Sequence, residues 1–116
     1  MTSVLVVEDN DEVANIFRAI LEGAGYDVGR SSNGAEAITK ATHAPYDLVL
    51  MDLLMSHGIG GVEAARTMRG FGYTGSIIAI TGAEQPRGDD AAPFDGLLSK
   101  PIMPQELLAE VKRVLG

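Results

Sequence analysis

Apolar residues in this chain fall into two kinds of stretch, short unbroken runs and longer segments with helical spacing. The strongest runs are Ser3–Val7, Leu48–Met51 and Ser76–Ile80, all rich in Val, Ile or Leu. A run this short, bounded by turn or polar residues, predicts a strand buried on both faces. Tyr26–Arg30 and Asp95–Leu98 predict two poorer strands. Between the first two runs, Val13, Ile16, Phe17, Ile20 and Leu21 recur on a single helical face. Asn10 can cap that helix, Asp11 and Glu12 suit its positive first turn, and Gly23 and Gly25 stop it. Asn33, with Glu36 three residues later, predicts a second helix through about Thr42, its thin apolar face made by Ala35, Ile38 and Ala41. A third helix, Val62 to Arg69, opens at Gly61 and stops at Gly70 and Gly72. The last begins near Pro104 and Gln105, with Leu107, Leu108, Val111, Val114 and Leu115 on its apolar side. From Ala83 to Ala92 the pattern is interrupted by Pro86 and Gly88, so a fourth helix there is expected to be short or partly unwound. Strands alternating with helices over short connections predict an α/β domain spanning residues 1–116, with one parallel sheet and helices on both faces.

Composition narrows the chemistry. With no cysteine among 116 residues, disulfides, thiolate catalysis and cysteine-ligated zinc are excluded. A formal net charge of −7 disfavours direct binding to nucleic acid or to an anionic membrane, and is compatible with a cation if the acids cluster. No run has the length of a membrane span and no secretory signal opens the chain, so a soluble cytoplasmic protein is expected. The core should be mostly aliphatic, with Met51, Met55 and Met68 as filler. His57, in a glycine-rich loop, is read as solvent-exposed, and His43 as a favourable charge near a helix end.

In an open parallel sheet, chemistry gathers at the carboxyl ends of the strands. Those ends here carry Glu8 and Asp9, then Asp52, Thr81 and Lys100. Taken singly, each has an ordinary reading as a cap, a strand-end hydroxyl or surface charge. Together they put three carboxylates, one hydroxyl and one ammonium at one sheet edge. Three close acids repel one another, which favours a hard divalent cation, and few oxygen ligands suit Mg²⁺. A carboxylate beside Mg²⁺ can attack phosphorus and form an aspartyl-phosphate. The cation and a lysine would neutralise the phosphoryl oxygens, and a threonine hydroxyl could donate to one of them.

Four motifs carry a resemblance: Val4-Leu5-Val6-Val7-Glu8-Asp9-Asn10, Asp47-Leu48-Val49-Leu50-Met51-Asp52, Ile80-Thr81-Gly82 and Asp95-Gly96-Leu97-Leu98-Ser99-Lys100-Pro101. In this order and at these separations they resemble the CheY-like receiver domain of two-component response regulators, over the whole chain. The resemblance implies a flavodoxin-like doubly wound sheet of five parallel strands in the order 2-1-3-4-5. It implies that Asp52 takes a phosphoryl group from a sensor histidine kinase or a histidine phosphotransfer protein, and that a downstream partner or output domain is switched. It further implies Mg²⁺ held by Glu8, Asp9, Asp52 and the backbone carbonyl of Leu54, with Thr81 and Lys100 contacting the phosphoryl group and a cis Lys100-Pro101 bond. Such a domain catalyses its own phosphorylation and slow dephosphorylation, as a switch. Three positions depart from the family pattern. Leu97 stands where an aromatic switch residue is common, Ser56 replaces a usual proline, and the loop through Gly61 is one residue longer.

Two rival readings fit less well. The glycine loop Gly58-Ile59-Gly60-Gly61 has Glu63 where the dinucleotide fingerprint needs a third glycine, and it lacks Gly-Lys-Ser/Thr. A haloacid-dehalogenase type phosphatase resembles this site but needs a second aspartate where Leu54 stands. A third reading, a degenerate receiver that only binds partners, conflicts with the intact set of five residues.

Overall fold

The parity of the central strand decides the architecture. In the computed structural model, which describes every residue except His57 and Ala83, β3 (Leu48–Asp52) is buried along its whole length. Its even-numbered Leu48 and Leu50 point into one core and Val49 and Met51 into another. β1 (Ser3–Val7) and β4 (Ser76–Thr81) divide the same way, because successive side chains leave a strand on opposite faces. With β2 (Asp27–Ser31) and β5 (Gly96–Ser99), these strands form one parallel sheet in the order β2-β1-β3-β4-β5. α1 (Asp11–Gly23) and α4 (Pro104–Leu115) close the first core with Phe17, Leu21, Leu107 and Val111. α2 (Gly34–His43) and α3 (Gly61–Gly70) close the second with Ala37, Ala41, Ala64, Ala65 and Met68.

Local signals act as expected at the helix starts. Asn10 Oδ1 accepts from the Val13 N–H at 3.0 Å, and Asn33 Oδ1 from the Glu36 N–H at 2.8 Å. At the end of α2, His43 Nδ1 donates to the Thr39 carbonyl at 2.8 Å. The expectation for His57 falls outside the described residues. Lys100-Pro101 is cis.

Two features differ from the sequence reading, and a third carries its expectation of a broken helix further. In α2 the buried face is Gly34, Ala37 and Ala41, with Ala35 exposed, because tight contact with α3 selects the smallest side chains. In α1 the buried row runs through Ala14, leaving Ile16 57% exposed. Between β4 and β5 the only helical element among the described residues is a 3-10 turn, Gly88–Asp90. Pro86 has no N–H to give a helix, and Gly88 takes φ +55°, outside the right-handed helical region. This segment is tethered to α3 instead. Arg66 pairs with Asp90, and Arg69 reaches Pro93 and Asp95.

Candidate functional site

The first strand delivers two acids to the sheet edge. Glu8 follows β1 directly and its N–H donates to the Ser31 carbonyl at 3.0 Å, so it sits one rung beyond the strand and is 2% exposed. Asp9 comes next, just before the α1 cap Asn10, whose N–H donates to Glu8 Oε2 at 3.3 Å. Asp52 is the last residue of β3, and the Asp52–Ile80 register sets Thr81 one step beyond it on β4. Gly61 then lets α3 start against this strand end. A Cβ there would lie 2.5 Å from the Asp52 carbonyl oxygen.

Glu8, Asp9 and Asp52 present carboxylate oxygens that all lie within 4.8 Å of one another. Lys100, just past β5, sends its Nζ to Asp52 Oδ2 at 3.2 Å and to Glu8 Oε1 at 3.4 Å. Its N–H donates to the Thr81 carbonyl at 2.8 Å, which ties the fifth strand end to the fourth. Asp52 Oδ1 accepts from the Leu54 N–H at 3.1 Å, so both oxygens of the aspartate are oriented. The Thr81 hydroxyl is buried at the same edge and donates to the Glu84 carbonyl at 3.3 Å. The Leu54 side chain is exposed and its backbone borders the acids.

Electrostatics separates these groups. Burial pushes the Glu8 carboxyl up to about 7, helped by hydrogen bonding with Asp52 and Asp9 and by the charge of Asp52. The Ser56 N–H, at 2.8 Å from Asp9 Oδ2, and the Ser56 hydroxyl, at 2.7 Å, hold Asp9 well below the usual carboxylate range. Partial burial pulls Lys100 down, and the charges of Asp52 and Glu8 outweigh it, so the ammonium is held above its ordinary value. A buried carboxyl with two further acids beside it marks a place where positive charge is in demand. An oxygen-only donor set of this size fits Mg²⁺.

The chain matches the response regulator receiver domain over residues 4–112. It belongs to the receiver family of two-component response regulators. The receiver is 36% identical over 118 residues to the transcriptional regulatory protein ResD of Bacillus subtilis, a match covering 98% of this chain and 48% of ResD. The chain thus spans about half the length of that relative. It is 33% identical to the response regulator receiver protein CpdR of Brucella abortus, covering 99% of this chain and 98% of CpdR. Among solved structures, the response regulator TrrA of Thermotoga maritima in complex with Mg²⁺-BeF superposes with TM-score 0.90 at 31% identity, covering 98% of this receiver and 99% of TrrA. TrrA in complex with the histidine kinase ThkA gives TM-score 0.89 at 30% identity, with both chains fully covered. The five-stranded sheet and its 2-1-3-4-5 order are those of the CheY-like fold. No helix among the described residues is long and apolar enough to cross a membrane.

The structure brings Glu8, Asp9, Asp52, Thr81 and Lys100 to one edge, as the sequence reading placed them. Two other residues at this edge had no sequence signal of their own. Ser56 holds Asp9, and the Arg30 side chain binds the Glu8 carbonyl. A proline at position 56 would have had no N–H to offer Asp9.

Proposed function

We propose that residues 1–116 act as one phosphoacceptor domain in which Asp52 is the nucleophile. The observation that carries this reading is the convergence of Lys100 Nζ and two further carboxylates on the buried Asp52. In the transfer, an Asp52 oxygen forms a bond to phosphorus as the phosphorus–nitrogen bond of a phosphohistidine breaks. The imidazole nitrogen leaves with the electron pair. Lys100, already 3.2 Å from Asp52, moves onto an incoming phosphoryl oxygen, and the Thr81 hydroxyl exchanges the Glu84 carbonyl for another. Glu8, Asp9, Asp52 and the Leu54 carbonyl would hold Mg²⁺, which neutralises phosphoryl charge when bound. Complexes of TrrA with Mg²⁺-BeF and with a kinase support the cation and the donor class. Beside Lys100, the exposed Ile16 with Val13, Phe17 and Ile102 lines an apolar cleft of about 470 Å³, where a phosphodonor protein could rest close to Asp52.

The test is phosphoryl uptake from acetyl phosphate, read by intact mass with and without Mg²⁺. One phosphoryl group should be gained only with the cation, and the Asp52→Asn variant should gain none. Equal labelling of that variant, or uptake indifferent to the cation, would overturn the assignment.

A further inference from the structure

The arrangement around Glu8 has a second half, at its backbone carbonyl. A continuing parallel ladder would give the Glu8 carbonyl a backbone N–H from β2. But β2 ends at Ser31, and Asn33 is already the cap of α2. The Arg30 guanidinium takes over that bond, with Nη2 at 2.8 Å and Nε at 3.1 Å from the Glu8 oxygen. Its third nitrogen, Nη1, pairs with Asp11 at 2.8 Å in the first turn of α1. Lys40 of α2 donates to the Arg30 carbonyl. One side chain therefore joins the end of β1, the start of α1 and the end of β2. Because the peptide unit is planar, fixing the Glu8 carbonyl also fixes the N–H and Cα of Asp9, hence the direction from which both acids approach Asp52. Asp11 offsets the guanidinium charge, so the arrangement adds little repulsion toward a cation nearby.

We infer that Arg30 is a positioning residue for the divalent-cation site, setting the Glu8–Asp9 peptide so that both carboxylates meet one ion. This rests on the Mg²⁺ reading above. A bidentate fork is needed, since lysine has one nitrogen and cannot hold the same plane.

The experiment is a titration of the intact chain with MgCl₂ at fixed ionic strength, followed by amide NMR shifts. Arg30→Ala, Arg30→Lys and Asp11→Asn are compared with the wild type. Loss of a group that orients a metal ligand typically weakens binding 10–100-fold, so Arg30→Ala should raise the Mg²⁺ dissociation constant about tenfold. Arg30→Lys should fall between it and the wild type. Asp11→Asn leaves the carbonyl contacts in place and removes only the charge that offsets the guanidinium, so it should weaken binding clearly less than Arg30→Ala does. At saturating Mg²⁺, phosphorylation by acetyl phosphate should return to near the wild-type rate in both Arg30 variants. A lowered melting temperature with unchanged Mg²⁺ affinity would make Arg30 a structural brace and overturn the inference while leaving the phosphoacceptor reading intact. Equal weakening in Asp11→Asn would overturn the carbonyl route. If the wild type itself binds no Mg²⁺, both readings fall. Should Arg30→Ala not fold, the comparison of Arg30→Lys with Asp11→Asn decides alone.

Discussion

Replacing Glu8 by glutamine keeps the side-chain shape and removes its charge, which sets two effects against each other. The first is the crowding of acids. Burial, with Asp52 and Asp9 beside it, raises the Glu8 carboxyl from 4.5 to about 7, which corresponds to about 3 kcal/mol favouring the neutral form. The folded-state value lies above the unfolded one. The associated stability is therefore complete below about 4.5 and is lost as pH rises through about 7. The second effect is the attraction of Lys100, whose Nζ lies 3.4 Å from Glu8 and is about one-third exposed. Screening limits that contact to about 1 kcal/mol. Lys100 also keeps Asp52, at 3.2 Å, after the substitution. The crowding should win. At pH 8 in the presence of a chelator, Glu8→Gln should be more stable than the wild type by about 2 kcal/mol, or roughly 8 °C in melting temperature for a chain of this size. Near pH 4, below both values, the difference should nearly vanish. Millimolar Mg²⁺ should stabilise the wild type at pH 8 by mass action and leave the variant unmoved. Thermal and urea unfolding followed by circular dichroism would measure all three. A variant less stable than the wild type at pH 8 without metal would show that Lys100 pairing outweighs acid repulsion. A gap that does not change with pH would refute the assignment of the repulsion to the Glu8 carboxyl.

Two further outcomes follow from single residues. Arg69→Ala removes bonds to the carbonyls of Tyr73, Gly75 and Pro93 and to the Asp95 carboxylate, so it should cost about 2–4 kcal/mol in urea unfolding. A loss below about 1 kcal/mol would mean that water satisfies those carbonyls as well as the guanidinium does. Ser31→Ala should stabilise the chain by about 1 kcal/mol, because the Ser31 hydroxyl is fully buried and has no hydrogen-bond partner among the described residues. Destabilisation of that size would show that the hydroxyl is bonded after all.

What could be read from the chain alone was whatever depends on neighbours in sequence. Buried runs declared the three central strands, and Asn10 and Asn33 declared the starts of two helices, because a cap bonds only two or three residues ahead. The residues at the strand ends could be named for the same reason. Their meeting at one edge needed only the rule that parallel strands end on one side. The order 2-1-3-4-5 was not in the periodicity and came from the resemblance, since a strand's apolar pattern does not say which strand it pairs with. The tertiary structure decided the rest. Ala37 is buried and Ala35 exposed because α2 packs against α3, and a sequence of small residues on both sides of a helix leaves that choice open. Arg30 reaches Glu8 across 22 positions and Ser56 reaches Asp9 across 47. No local pattern announces such bonds, because only the sheet register brings their partners together.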